Sequence, residues 1–165
     1  MRVGIIGPSK MDYLLGINKD AQRIISYIAK KLKDHEIYIV PDKGSVSEYF
    51  AQEYKKHSDI PIKVLVPLDD EEFGYGWVNT EIGENINCGT WRNQPESLNE
   101  HTELFVCLGY AVGVLAEIAY SKWFNPKPVY IIKELVTSRL PKELEKSLDL
   151  RYVKYGELII ENGKR

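Results

Sequence analysis

The chain carries five short runs of consecutive apolar, largely β-branched residues, separated by segments in which apolar residues recur at the spacing of one helical face. A strand that is apolar at every position is buried on both faces, as happens in a parallel sheet covered by helices on each side. Alternation of such strands with amphipathic helices is typical of α/β architecture. The predicted strands span residues 2–7, 36–40, 62–66, 104–108 and 129–132.

Helix signals fill the intervals between these strands. Asn18 is a good N-cap for an amphipathic helix over residues 18–32, and Ser45 with Glu48 forms a capping box in front of a second helix. Further helices are predicted over residues 114–123 and 141–148, and an extended tail over residues 151–160. The pattern predicts a three-layer Rossmann-like α/β fold, with a mostly parallel sheet and helices on both faces, formed by residues 1–165 as one domain.

Residues 69–99 interrupt the pattern. Acidic residues, glycines and aromatic residues, among them Phe73, Tyr75 and Trp77, follow one another there without a sustained period. We expect a long irregular loop, and loops of this length in a compact domain are usually functional or internally structured.

The composition argues against several classes of function. Lys and Arg number 22 against 24 Asp and Glu, and they are dispersed, so neither nucleic acid nor an anionic membrane is expected as a partner. No stretch has the length of a signal-peptide core or a membrane span, from which we expect a cytoplasmic protein. Cys88 and Cys107 have no CxxC or zinc spacing and the histidines are scattered, so we predict no metal site and no required cofactor. The GxGxxG, GxxxxGK[ST] and GxSxG motifs are absent from the sequence.

Three turns lie where a parallel sheet places its ligands, at the carboxyl ends of the strands. They contain Gly7 and Ser9, Gly44 and Ser45, and Gly109, Tyr110, Ala111 and Gly113. Backbone amides at the start of a helix bind anions, so each turn is a candidate ligand-binding segment. A plain turn with a helix cap, or glycines that only allow close packing, is the alternative for each.

Glu117 and Arg92 are the candidate catalytic residues. Glu117 lies one turn after Gly113 on the same helical face and is the only charged residue of its apolar segment, so it could open into a cleft or merely complement the helix dipole. Arg92 could hold a phosphate or carboxylate through two hydrogen bonds, with Asn93 adding an amide and Trp91 a stacking surface. A solvated arginine and a core tryptophan are the alternatives for these two side chains.

The order of these landmarks resembles the lysine-decarboxylase-like (LONELY GUY) family, within a superfamily of Rossmann-like nucleotide-binding proteins that includes molybdenum cofactor carrier proteins. In that family an arginine, often followed by asparagine, precedes a strand that ends in the motif PGGxGTxxE. Arg92 and Asn93 occupy the first place and residues 109–117 the second. The resemblance covers residues 2–132, most of the chain.

Carried over by position, Arg92 matches the family's arginine, Glu117 the glutamate and Gly113 the glycine before the motif threonine. The replaced positions are Gly109 for the proline, Tyr110 and Ala111 for two glycines, and Val114 for the threonine. The threonine hydroxyl would bind phosphate, and valine has no hydroxyl.

Members with the full motif resemble phosphoribohydrolases, which cleave the N-glycosidic bond of nucleoside 5′-monophosphates. The resemblance then implies that Glu117 stabilises the developing positive charge or positions the water, that Arg92 orients the substrate, and that amides of residues 109–113 hold the phosphate. Because the threonine is replaced, our first expectation is binding of a nucleotide or nucleotide-derived ligand, with the phosphoribohydrolase as the alternative. The resemblance also implies a homodimer or higher homo-oligomer. A further alternative is a non-catalytic interaction protein that docks through residues 73–77 and Trp123.

Overall fold

Within residues 1–161, seven strands form one sheet in which every neighbouring pair is parallel. The structure is a computed structural model, and it describes residues 1–161. The strands are β1 (Arg2–Ile6), β2 (Glu36–Ile39), β3 (Lys63–Val66), β4 (Glu84–Asn87), β5 (Leu104–Cys107), β6 (Pro128–Ile132) and β7 (Asp149–Val153). The α-helices are α1 (Met11–Ile17), α2 (Ala21–Lys31), α3 (Val46–Tyr54), α4 (Gln94–His101), α5 (Val112–Tyr120) and α6 (Lys142–Ser147), and short 3-10 turns cover Ser121–Trp123, Lys133–Leu135 and Tyr155–Glu157.

The strand order across the sheet is β4-β3-β2-β1-β5-β6-β7. After β1 the chain adds β2, β3 and β4 in turn on one side of β1. It then crosses to the other side of β1, where it adds β5, β6 and β7. The β1–β5 pair runs in register from Val3 opposite Leu104 to Ile6 opposite Cys107. In open parallel sheets a crevice opens at such a reversal, outside the carboxyl ends of the strands. The reversal therefore sets the turn after β1 beside the turn after β5.

Alternate residues of β1 face opposite sides of the sheet. Val3 and Ile5 belong to the core beneath α2 and α3, which includes Phe50, whereas Ile6 belongs to the core beneath α4 and α5, which includes Ile118. The central strands are thus buried on both faces, which explains their uninterrupted apolar sequences. This confirms the predicted three-layer Rossmann-like fold with a parallel sheet and helices on both faces.

The prediction of an irregular loop over residues 69–99 is wrong in part, because β4 and most of α4 lie inside it. β4 is an edge strand with largely exposed polar side chains, so it lacks an apolar run. In α4 the buried face includes the polar residues Gln94, Ser97 and Asn99 beside Leu98, so the helical spacing of apolar residues is missing from the sequence.

Two helix starts also differ from the prediction. Asn18 follows the end of α1, a helix that the pattern did not predict, and α2 begins at Ala21 after its N-cap Asp20. Asn18 Oδ1 accepts a hydrogen bond from the amide of Asp20 at 2.9 Å, so this side chain orders the turn between the two helices. The helix after β5 begins at Val112, which places Gly113 inside its first turn.

The C-terminal elements extend the sheet. Pro141 is the N-cap of α6, where a short helix is predicted, and β7 covers only the first part of the segment predicted to be extended. β7 pairs with β6 from Pro128 opposite Asp149 to Ile132 opposite Val153. Within residues 1–161, none of the helices has both the length and the apolar character needed to cross a bilayer.

Gly4 offers a test of the packing between β1 and β5. A Cβ at this position would lie 2.5 Å from Cδ1 of Phe105, a ring that is fully buried. We expect Gly4→Ala to lower the free energy of unfolding, measured by urea denaturation, by about 1–3 kcal/mol because the ring must move in a close-packed core. Gly16→Ala is the matched control, since a Cβ on this exposed residue of α1 meets open space and should raise stability by about 0.5–1 kcal/mol. Equal effects of the two substitutions would contradict the packing argument.

Candidate functional site

A cleft of about 500 Å³ opens at the carboxyl ends of β1 and β5. Its floor is the end of β1 with the turn that follows, and its walls are the β2–α3 turn, the start of α4 and the first two turns of α5. The residues that line it include Gly7, Ser9, Asp42, Ser45, Trp91, Gln94, Ala111, Val112, Gly113 and Glu117. The cleft lies where the strand order reverses, as expected for a ligand site in this fold.

The N-terminus of α5 faces this cleft without a side-chain cap. Its N-cap residue is Ala111, which has no polar atom to accept a hydrogen bond from the first amides of the helix. These amides have no partner within the helix and carry the positive end of its dipole. A Cβ added to Gly113 would meet nothing within 4 Å, so this glycine leaves open space beside the amides and is not a close-packing device. The arrangement can bind an anion.

The turn before α5 depends on Gly109 and tolerates Ala111. Gly109 has φ +121°, and a Cβ there would lie 3.0 Å from Leu14 Cδ1 and 3.1 Å from Pro8 Cδ. Ala111 has φ −158°, which is extended backbone that any residue adopts. The exchange of a family glycine for Ala111 therefore introduces no backbone strain here.

The N-terminus of α3 differs, because its own side chains cap it. Ser45 Oγ accepts from the amide of Glu48 at 3.1 Å, as in the predicted capping box, while Glu48 Oε1 accepts at 3.1 Å from the amide of Gly44, one residue before the N-cap. A carboxylate already occupies the positive end of α3. Of the three helix N-termini at the cleft, those of α3, α4 and α5, only that of α3 has a side-chain cap.

Glu117 lies inside the cleft wall, with 8% of its surface exposed. Gln94 Nε2 donates to Glu117 Oε2 at 3.0 Å, and Asn99 Nδ2 donates to the backbone carbonyl of Glu117 at 3.0 Å, so α4 holds both the side chain and the main chain of this residue. Burial raises the pKa of Glu117 to about 7, and the nearby charge of Asp42 adds to the effect. The carboxyl group can therefore exchange a proton near neutral pH.

Asp42 is the second acid in the cleft, in the turn after β2. Its Oδ1 is enclosed and has no hydrogen-bond partner within residues 1–161. Burial raises the pKa of this carboxyl to about 6. A buried polar atom without a partner costs about 1–3 kcal/mol, so a ligand that donates a hydrogen bond to Asp42 would relieve this cost.

Trp91 forms an aromatic wall of the cleft together with Trp77. The two rings stack at a centroid distance of 5.3 Å and an angle of 9°, and Trp91 Nε1 donates to the carbonyl of Gly74 at 2.7 Å. The loop that carries Trp77 is fastened beside Asp42, since the amide of Lys43 donates to the carbonyl of Trp77 at 2.7 Å. An antiparallel bridge between Asp42 and Val78 completes the attachment. This part of residues 69–99 is a packed wall.

Several predicted site residues lie outside the lining of the cleft. Arg92 has a side chain that is three-quarters exposed and donates to Glu72 at 3.1 Å. Asn93 Oδ1 accepts from the amide and the hydroxyl of Thr90, and the Tyr110 hydroxyl donates to the carbonyl of Ser138 at 3.0 Å. Gly44 and Gly109 shape the turns without lining the cleft. The predicted members that do line it are Gly7, Ser9, Ser45, Ala111, Gly113 and Glu117.

The pattern did not single out Gln94 or Asp42 as site residues. Asp42 comes three residues after the end of β2, and a polar residue in the turn after a buried strand is a usable signal for this edge of the sheet. Gln94 has no such signal, because its role depends on a contact with Glu117, 23 positions further along the chain.

The described residues contain no group of three or more His, Cys, Asp or Glu side chains placed to hold a metal ion. Cys88 and Cys107 are free and buried, and burial raises the pKa of the Cys107 thiol to about 12 and that of Cys88 to about 11. Thiols in this state are poor nucleophiles and poor metal ligands near neutral pH.

No family model matches the chain, and no curated protein matches it in sequence. Solved structures do match. The molybdenum cofactor carrier protein of Chlamydomonas reinhardtii aligns with a TM-score of 0.68 and 17% identity over 94% of this chain and 91% of that chain. The molybdenum cofactor binding protein of the phototrophic bacterium Rippkaea orientalis aligns with a TM-score of 0.64 and 15% identity over 90% and 87%.

DNA processing protein A of Helicobacter pylori, which binds single-stranded DNA, is also similar, with a TM-score of 0.57 and 12% identity over 92% of this chain and 74% of that chain. These structures have dissimilar ligands. The likeness therefore establishes the Rossmann-like fold and does not identify a ligand for this chain.

Glu117 makes the stability of the fold depend on pH in a defined direction. Its pKa is about 7 in the folded chain against an ordinary 4.5, so the folded state binds the proton more tightly and stability falls as pH rises between these values. We expect Glu117→Gln to exceed the wild type in free energy of unfolding by about 1–3 kcal/mol at pH 8, with little difference near pH 4.5. Urea denaturation at the two pH values measures this difference.

Glu143→Gln is the matched control for this experiment. It removes an exposed acid from α6 and should leave the pH dependence unchanged. A Glu117→Gln protein that is less stable than the wild type at pH 8 would show that the carboxylate stabilises the fold, contrary to the argument from burial.

Proposed function

We propose that this protein binds a nucleotide or nucleotide-derived ligand with a phosphate group in the cleft between β1 and β5. The observation that carries the proposal is the uncapped N-terminus of α5, which opens into a cleft that also holds an aromatic wall and two carboxyl groups. The helix amides would hold the phosphate, the Ser9 hydroxyl would contact it, and the wall would cover the heterocycle.

The charge of the cleft favours a ligand with a single phosphate. Its described lining contains neither lysine nor arginine, while Asp42 and Glu117 add negative charge. A di- or triphosphate would bring several negative charges with only helix amides and hydroxyl groups to balance them. A monophosphate, whose charge one helix N-terminus can accommodate, fits this balance better.

The similarity to molybdenum cofactor carrier proteins supports binding over turnover. A carrier needs a cleft that recognises a phosphorylated heterocycle and releases it unchanged. The replacement of the motif threonine by Val114, a buried residue at the start of α5, points the same way, because it removes a hydroxyl that would bind the phosphate. Phosphorylated pterins therefore join nucleoside monophosphates among the ligands to be tested.

Gly113→Asp tests the phosphate site without disturbing the fold. A carboxylate in the first turn of α5 complements the helix dipole and meets open space, but it competes with a bound phosphate. We expect nucleoside monophosphates to raise the melting temperature of the wild type, and we expect Gly113→Asp to weaken their binding by about tenfold or more, measured by calorimetry. Failure of every monophosphate and phosphorylated pterin to bind the wild type would overturn the proposed function.

Arg92→Ala tests the prediction that Arg92 contacts the ligand. Because the guanidinium pairs with Glu72 outside the cleft lining, we expect the variant to keep the wild-type affinity for monophosphates within about twofold. A tenfold loss of affinity would instead show that Arg92 leaves Glu72 and reaches the ligand.

One observation favours a second function, phosphoribohydrolase activity. Glu117 is a carboxyl group in the cleft with a pKa of about 7, which is suited to proton transfer to a departing base at neutral pH. This function predicts release of free base from a nucleoside monophosphate, abolished in Glu117→Ala and measured by chromatography of the products. Unchanged turnover in Glu117→Ala would exclude this mechanism.

A further inference from the structure

Asp42 is a cleft residue with an enclosed acceptor atom that is not hydrogen-bonded. Glu117 accepts a hydrogen bond from Gln94 on Oε2, whereas Asp42 Oδ1 is enclosed and has no partner within residues 1–161. The backbone on either side of Asp42 is held by the bridge to Val78 and by hydrogen bonds in the β2–α3 turn, so its carboxyl group has a fixed position at the cleft. A group that donates hydrogen bonds to this carboxylate would complete its coordination.

The stacked tryptophans lie next to that carboxylate. The Trp77 segment is attached to residues 41–43 by two backbone hydrogen bonds, from Lys43 to the carbonyl of Trp77 and from Asn79 to the carbonyl of Pro41. Trp91, on which Trp77 stacks, lines the cleft. A flat heterocycle placed against Trp91 can direct its edge towards Asp42, since both residues line the same cleft.

Heterocycles differ in what their edges offer a carboxylate. A 2-amino-4-oxopyrimidine ring, as in guanine and in pterins, presents a ring N–H beside an exocyclic amino group, so one carboxylate accepts two parallel hydrogen bonds from it. Adenine presents one amino donor beside the lone pair of N1, which repels a carboxylate oxygen. Hypoxanthine keeps the ring N–H and lacks the amino group.

We propose that the cleft selects heterocycles with a 2-amino-4-oxopyrimidine edge and that Asp42 is the residue that reads this edge. The inference rests on the proposed function and adds a specificity that the function alone does not require. Guanine nucleotides and phosphorylated pterins carry the same edge, and the experiment separates these two sources.

Calorimetric titration at pH 8, where the Asp42 carboxyl with its pKa of about 6 is ionised, tests the proposal with four ligands. The ligands are GMP, IMP, AMP and neopterin monophosphate. We expect GMP to bind the wild type about tenfold or more tightly than AMP, with IMP between them. Tighter binding of neopterin monophosphate than of GMP would identify a pterin as the source of the same edge, and the reverse order would identify guanine.

Asp42→Asn is the decisive variant. Its amide oxygen accepts from the adenine amino group while its amide nitrogen donates to N1, so the variant should lose about tenfold or more in affinity for GMP and gain affinity for AMP. The variant removes a buried unpaired carboxylate, so it is expected to fold, which circular dichroism confirms. Ser9→Ala is the control, because Ser9 lies with the phosphate in the proposed pose and its loss should weaken GMP and AMP equally.

The outcomes separate this inference from the function on which it rests. Equal affinity of the wild type for GMP and AMP, or an unchanged GMP-to-AMP ratio in Asp42→Asn, would overturn the role of Asp42 and leave the binding function standing. The absence of binding by all four ligands would overturn both.

Discussion

The pairing of β5 against β1 is the constraint on which the rest of the structure depends. The two strands share four register positions and are buried on both faces, and Gly4 provides the space that the Phe105 ring fills. Because β5 returns to the side of β1 that β2 does not occupy, the turns that follow β1 and β5 meet. The N-terminus of α5, the β2–α3 turn and the start of α4 then surround one cleft. A different position for β5 would leave the same residues on separate surfaces.

Within that cleft the fold supplies positive charge through the backbone. The residues that line it include two acids and no basic side chain in the described part of the chain, so the positive ends of helices, above all that of α5, are the main attraction for an anion. Arg92, the cation predicted as a site residue, pairs with Glu72 through an exposed side chain. The cleft is therefore suited to a ligand that combines modest negative charge at one end with hydrogen-bond donors at the other.

The elements that could be predicted from the sequence are those whose burial is visible in their own residues. β1, β2, β3, β5 and β6 are apolar because helices cover both faces, and the capping box of α3 lies within four consecutive residues. β4 was missed because an edge strand needs no apolar run. α4 was missed because it buries polar groups whose partners, such as the Glu117 carbonyl that Asn99 contacts, come from another helix.

The site follows the same rule. The glycine turn and the acid Glu117 can be recognised from the sequence alone. Each is a local pattern: glycines between a strand and a helix, and one acid in an otherwise apolar helix. Asp42 and Gln94 become site residues through contacts between segments far apart in sequence, and the exposed position of Arg92 depends on Glu72. No spacing rule encodes such contacts.

The capping box of α3 has a second connection. While Glu48 Oε1 accepts from the amide of Gly44, Glu48 Oε2 accepts from Asn79 Nδ2 at 3.0 Å, in the segment that carries the aromatic wall. One carboxylate thus ties a helix start on one side of the cleft to the tryptophan stack on another. Moving the wall would break this hydrogen bond and leave Glu48 Oε2 without its Asn79 partner, so the contact favours one width of the cleft. The ligand proposed for this cleft would then meet a slot whose two sides are already joined.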